Sequence, residues 1–225
     1  MLTVTDALQR RTSIREFKPD PVPAALVREL LELASRAPSG GNLQPWKVIA
    51  VAGEERAAVT ALAARVLGSG TDEVGDRPVY PPALFEPYRT RRYKLGEDMY
   101  ALLGIGREDK AGRLTRFARN YEFFGAPVGL FFVIDERMGH GQWAHLGMFM
   151  QSLALAAVER GLGTCMQEAW AAVRASLKAH FALPEHDFVY CGMALGYADE
   201  SAPVNQLRAD RAPVDAFATL KGFDR

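Results

Sequence analysis

Cysteine is scarce in this chain: Cys165 and Cys191 are the whole supply, and they stand too far apart for a CxxC pair. That excludes a disulfide framework and suits a reducing compartment. Net charge is missing as well, because 27 Lys and Arg balance 27 Asp and Glu. Such a balance gives no reason to expect nucleic acid or an acidic membrane surface as a partner. No apolar run reaches the length of a membrane span, and no apolar targeting segment follows Met1. The expectation is a soluble, cytoplasmic protein with no membrane partner.

The usual local signatures of chemistry are absent too. No GxxxxGK[ST] occurs, so there is no Walker-type phosphate loop. Gly104-Ile105-Gly106 has Asp109 where a dinucleotide fingerprint needs its third glycine, and Gly161-Leu162-Gly163 runs on to Met166. His140, His145, His180 and His186 form no HExxH, and none pairs with a cysteine at metal-ligand spacing, so no metal site is expected. Cys165 has no identifiable general base beside it, which leaves both thiols as small packing residues. Any redox centre must therefore be borrowed.

What remains is a chain of 225 residues, 48% hydrophobic, which suits one domain over 1–225 with a sizeable core. Helical spacing is read over 3–10, 23–34, 54–67, 84–104, 108–124, 142–160 and 173–181. Buried strands are read at 46–52, 127–134 and 188–196, with a short unassigned segment at 164–170. The class is α+β, a central mixed or antiparallel sheet flanked by helices. Residues 69–88 carry Gly70, Gly75, Pro78, Pro81, Pro82 and Pro87. A connection that long inside a compact domain reads as a covering or binding segment, and 69–116 is taken as a substrate-covering insertion. Residues 197–225 form an irregular tail.

Two clusters carry chemistry. Arg10, Arg11 and Arg15 stand with Thr12 and Ser13 within six residues. Forked guanidinium donors and short hydroxyls suit phosphate oxygens; a solvated helix end explains the same residues more simply. In the second cluster, Pro38, Ser39, Gly40, Gly41, Asn42, Leu43 and Gln44 precede Trp46. Small residues let backbone approach a flat ligand, and Asn42 and Gln44 can read a heterocycle edge. A plain helix-to-strand loop is the alternative.

RRTSIREF followed by APSGGNLQPWKVIAV resembles the opening of the FMN-dependent nitroreductase family. NYEFFGAPVGLFFVID, GLGTCMQEAW, LGY and RADRAPV follow in matching order, so the resemblance spans nearly the whole chain, with a segment before NYEFFGAPV similar to nitrobenzoate-type reductases. It implies a nitroreductase-like fold and a homodimer with exchanged tails and FMN at the interface. Arg11, Thr12, Ser13 and Arg15 would hold the flavin from one side. Of these, Arg11 and Ser13 would meet the phosphate with Arg208 and Arg211, and Arg15 would stand by the pyrimidine edge. Pro38, Ser39, Gly40, Asn42 and Gln44 would come from the other subunit. Met166, Gln167, Glu168 and Ala169 would line the ring, with a backbone N–H near Glu168 directed at N5. Ala169 departs from a common glycine. Asn120 resembles a flavin-contacting Asn of some members, displaced by one position. Asn42 sets the chain apart from the branch that breaks flavin down to a benzimidazole.

The implied activity uses NAD(P)H to reduce a small aromatic oxidant, a nitroaromatic or a quinone, in a ping-pong cycle. FMN carries the chemistry, so no side chain is singled out as catalytic. Tyr88 and Arg92 are the substrate candidates: a ring to stack on the oxidant, and a cation to pair with a carboxylate. A wet basic helix face is the plainer reading of that segment. Reductive dehalogenation, enone reduction and a non-catalytic flavin-binding redox sensor stay open. The helix at 142–160 is too apolar to face water, which points separately to a dimer.

Overall fold

Residues 128–134 are buried at every position, and in a computed structural model of the chain they form the central strand from which the fold is built. The structure describes residues 2–71, 73–75 and 77–223. Residues 1, 72, 76, 224 and 225, parts of the expected domain, its covering segment and its tail, lie outside the described residues. Four strands, β1 (Lys47–Ala52), β2 (Val128–Asp135), β3 (Gly163–Gln167) and β4 (Asp187–Gly196), lie in the order β1-β2-β4-β3. Every neighbouring pair is antiparallel.

Because strand side chains alternate, β2 feeds two cores. Leu130, Phe132 and Ile134 pack with Leu30 of helix α2 (Ala24–Ala34) and with Leu146, Phe149 and Leu153 of helix α6 (His140–Glu159). On the opposite face, Phe131 and Val133 pack with Val59 and Ala63 of α3 (Gly53–Gly68), with Trp170, and with Leu177 of α7 (Arg174–His180). The remaining helices are α1 (Val4–Arg10), α4 (Tyr88–Leu102) and α5 (Lys110–Ala118). Thr3 caps α1 through a reciprocal box with Asp6: its Oγ1 accepts from the Asp6 N–H at 3.1 Å, and its own N–H donates to Asp6 Oδ2 at 3.0 Å.

Three features differ from the sequence reading. Residues 163–167 are a full strand, although GTCMQ has neither β-branched density nor clear alternation. Its identity comes from pairing, Gly163 opposite Gly196 through Gln167 opposite Gly192. Next, the helix expected over 108–124 stops at Ala118 and becomes a 3₁₀ turn over Arg119–Gly125. Phe123 and Phe124 sit there at φ 52° and 54°, a costly conformation offset by burying both rings. Lastly, α4 begins at Tyr88 rather than 84 and buries none of its residues. Among the described residues the tail after β4 holds a bridge from Ala198 to Phe17 and short 3₁₀ turns at Pro203–Gln206 and Val214–Ala216. It ends with Phe217, Leu220 and Phe223 exposed.

Candidate functional site

The basic cluster lies along the free edge of β3, in an extended arm beyond the end of α1. Ser13 bridges Thr164 in parallel, which makes the sheet mixed at this edge, and the Ile14 N–H donates to the Thr164 carbonyl at 2.9 Å. Gly163 permits this approach, since a Cβ there would come within 2.6 Å of Ile14 Cγ1. Extended backbone aims Arg11, Ser13 and Arg15 to one side. Asn205, buried in the tail, then fastens arm to tail: its Oδ1 accepts from the Arg15 N–H at 2.7 Å, and its Nδ2 donates to the carbonyls of Glu16 and Asp199, each at 2.8 Å.

That fastening closes a cavity of about 420 Å³ whose wall includes Arg11, Thr12, Ser13, Arg15, Arg208 and Arg211. Arg208 Nη1 donates to the carbonyls of Asn205 and Leu207, each at 3.0 Å, and Arg211 Nη1 to that of Ala209 at 2.9 Å. No ion pair with a carboxylate joins any of the four guanidiniums among the described residues. Burial, and then the neighbouring Arg211 charge, push the Arg11 guanidinium below its ordinary pKa. Four cations with two hydroxyls and no carboxylate partner have the donor chemistry to suit an anion.

Arg15 also lines a second cavity, of about 820 Å³. Its floor is the end of β3 and the 3₁₀ turn Glu168–Val173, with Met166, Gln167, Glu168 and Ala169 on the wall. Gln167 is 1% exposed; its Nε2 donates to the Asn120 carbonyl at 2.7 Å, while its buried Oε1 has no partner. An orphaned buried acceptor in a cavity wall is unsatisfied in the absence of a donor from a ligand. Asn120 lines the same cavity and donates from Nδ2 to the Phe117 carbonyl at 2.8 Å. Tyr80 and Arg92 form its outer wall, the guanidinium 4.4 Å from the ring centre. A large cavity, mostly apolar, with a few convergent polar groups and an anion pocket at one end, fits a flat ring carrying a phosphorylated side arm.

Two groups of expected residues lie elsewhere. Pro38, Ser39, Gly40, Asn42 and Gln44 line neither cavity. Their loop is held in shape by Ser39 Oγ, which accepts from the Gln44 N–H at 3.0 Å, and Asn42 and Gln44 adopt φ 56° and 48°. It rests on the first turns of α6, where the Gly40 N–H donates to His145 Nδ1 at 3.4 Å. Beside it α6 leaves Met148 45% exposed, and Leu43 of the loop is 56% exposed. Tyr88 also lines neither cavity; it is exposed, edge-on to Phe85 with ring centres 5.2 Å apart.

Arg116, Tyr190 and Asn205 escaped the sequence reading. Arg116 carried no signal beyond an amphipathic helix. Tyr190 is one aromatic in a strand full of apolar residues, and only the position of Asn205 inside the tail marks it. Among the described residues no cluster of His, Cys, Asp and Glu is placed to hold a metal, and no helix is long and apolar enough to cross a membrane.

Comparison with known proteins agrees with this architecture. A family model for the nitroreductase family matches residues 8–197, which leaves Arg208 and Arg211 beyond the match. The chain is 40% identical to 4-nitrobenzoate reductase of Pseudomonas putida over 217 residues, covering 96% of this chain and 94% of the relative. It is 36% identical to chloronitrobenzene nitroreductase of Comamonas testosteroni, with 96% of each covered. Among solved structures, the FMN- and NADPH-dependent nitroreductase NfnB of Sphigopyxis sp. strain HMH superposes with a TM-score of 0.94 at 45% identity, over 99% of this chain and 100% of that one.

Proposed function

The chain belongs to the nitroreductase family, and we propose that it is an FMN-dependent oxidoreductase that uses NAD(P)H to reduce nitroaromatic compounds or quinones. The observation that carries this reading is a pair of neighbouring cavities with Arg15 on the wall of both. Arg11, Ser13, Arg208 and Arg211 would hold the phosphate, with Thr12 beside them. The isoalloxazine ring would lie against Met166, Gln167, Glu168 and Ala169, with Asn120 near its edge. Arg15 at the junction would stabilise negative charge on the ring, and the Gln167 Oε1 would accept from a ring N–H. The flavin supplies the two-electron chemistry when bound; the chain binds it, orients it and shapes the space above it.

The oxidant would enter beneath Tyr80 and Arg92, under the 69–116 segment. Arg92 has no carboxylate partner among the described residues, so an aromatic acid would pair with it. A relative named 4-nitrobenzoate reductase points to the same substrate class. Tyr88, outside the cavity wall, would take part only if α4 shifts on binding.

The working unit would be a homodimer. Pro38, Ser39, Gly40, Asn42 and Gln44, unused within their own chain, would complete the partner's site. The exposed Met148 face of α6 would form the contact. A groove of about 610 Å³ between α2 and the edge strand β1, bordered by Val27, Leu31 and Val51, would receive the partner's tail with Phe217, Leu220 and Phe223.

Purified protein should carry one FMN per chain and consume NADPH when a nitrobenzoate is added. Dilution to monomer should release the flavin, because each site would then lack the partner's loop. A colourless protein that takes up no FMN would overturn the flavin assignment. A monomer that keeps FMN fully bound would overturn the shared site.

A further inference from the structure

Glu168 is the sole carboxyl group on the wall of the larger cavity among the described residues. It opens the 3₁₀ turn after β3 and is half-buried, and no Lys, Arg or His among the described residues stands at ion-pairing distance from it. Its neighbours are all committed to structure. Gln167 is tied to the Asn120 carbonyl. The Ala169 carbonyl accepts from Tyr121 Oη at 3.0 Å. Trp170 lies flat on Gly192, where a Cβ would come within 2.3 Å of the indole Cδ1. The Glu168 carboxyl contributes to none of this.

Tyr190 shares that cavity wall. Strand β4 carries a bulge at this point: Phe132 pairs with Cys191 and Val133 with Val189, so Tyr190 has no partner residue in β2. Bulges re-aim a side chain without breaking the sheet, and here Tyr190 lines the same cavity wall as Glu168. Burial raises the Glu168 pKa, and the nearby Tyr190 hydroxyl opposes this only in part. Burial, with the Glu168 charge next, raises that of the Tyr190 phenol. Cys165 of β3 and Cys191 of β4 share the wall as thiols raised by burial. Arg15 of the arm, Arg92 of α4 and Arg116 of α5 are the cations around the same space.

We propose that the Glu168 carboxyl, with the Tyr190 hydroxyl on the same wall, is the acid that protonates the oxidant in the larger cavity. The proposal rests on the flavin reading of that cavity. Taking a nitro group to the nitroso level breaks one N–O bond, consumes two electrons and two protons, and releases one water. Bound reduced flavin would supply both electrons and one proton, as hydride. The second proton needs an acid, and the Glu168 O–H bond breaks to form the O–H bond of the departing water. The carboxylate left behind regains its proton from solvent. A quinone needs the same: two electrons, two protons, one of them from Glu168.

The test compares Glu168→Gln and Tyr190→Phe with wild type in the FMN-loaded protein. Flavin reduction by NADPH takes no proton from an acid and serves as the internal reference. The rate of oxidant reduction relative to it should fall about 10²-fold in Glu168→Gln, the usual scale of general acid catalysis. In wild type that ratio should decline as pH rises through the Glu168 pKa. It should be low and flat in Glu168→Gln, and in Tyr190→Phe the break should move to higher pH. Infrared difference spectra between acidic and neutral pH should show a protonated carboxyl in wild type and lose it in Glu168→Gln. If Glu168→Gln keeps both the ratio and the pH break, Glu168 is not the acid while the flavin assignment stands. Wild type that binds no FMN overturns the flavin assignment instead.

Discussion

Arg116 Nη2 donates to the main-chain carbonyl of Arg15 at 2.6 Å, so a helix distant in sequence sets the position of the residue that both cavities share. The same guanidinium donates from Nη1 to Glu16 Oε2 at 3.3 Å and lies 5.5 Å from the Phe124 ring centre. Its side chain is 10% exposed, and its Nε has no partner.

Arg116→Leu should therefore act on both stability and binding. Removing a buried charged donor strands the Arg15 carbonyl and weakens the hold on Glu16, at a cost of about 1.5–3 kcal/mol. FMN affinity should drop about tenfold, because Arg15 loses its anchor (about 1.4 kcal/mol). Denaturant titration and flavin fluorescence titration read the two effects; unchanged values in both would refute the anchoring role.

Glu73 ties the chain ahead of α4 to the body. Glu73 accepts at Oε2 from the Ser176 N–H at 2.8 Å and at Oε1 from the Ser176 hydroxyl at 2.7 Å, so it caps α7 from outside. Glu73→Ala should cost about 1 kcal/mol, as loss of a helix cap does. It should also speed proteolytic cleavage within 69–80 under native conditions. Cleavage no faster than in wild type would mean that other contacts fix the segment.

Gly192 admits the Trp170 indole against β4. Gly192→Ala should destabilise the fold by about 1–3 kcal/mol through overpacking. The strain falls on the turn that carries Glu168, so near-ultraviolet circular dichroism should change along with the melting temperature. A variant that melts like wild type with unaltered tryptophan signals would show that the turn can shift without cost.

Glu168 also makes stability depend on pH. Its carboxyl titrates higher in the folded chain than in the unfolded one, chiefly through burial. Between those two pKa values the folded state binds more protons, so stability falls as pH rises through that window. Glu168→Gln should remove this decline, leaving the variant the more stable of the two at neutral pH with the gap closing in acid. Parallel stability–pH curves for the two proteins would contradict the burial effect.

Much of this was legible in the chain. The buried strand at 128–134 is continuous apolar sequence, and α6 declares itself through Leu146, Met150, Leu153 and Ala157 at helical spacing. The arginine and hydroxyl cluster was legible as a group of phosphate-type donors because those residues are neighbours in sequence, although a solvated helix end read as simply from the chain alone. Residues 163–167 were not legible as a strand, since GTCMQ becomes one only by pairing with β4. The break at 119 was hidden because Phe123 and Phe124 adopt positive φ for the sake of burial, which no local propensity favours.

Sequence by itself determined the α+β class, the apolar strands and helices, and the chemistry of residues 11–15, because periodicity and local composition carry those directly. Only the tertiary structure decided that Arg15 stands at the junction of two cavities, since that depends on Asn205 and Arg116 meeting it from remote segments. It alone brought Tyr190 to the cavity wall that holds Glu168, beside a bulge in strand pairing. It alone kept residues 38–44 away from both cavities of their own chain. Contacts between distant segments are made by packing and hydrogen bonding, and a local pattern of residues does not record them.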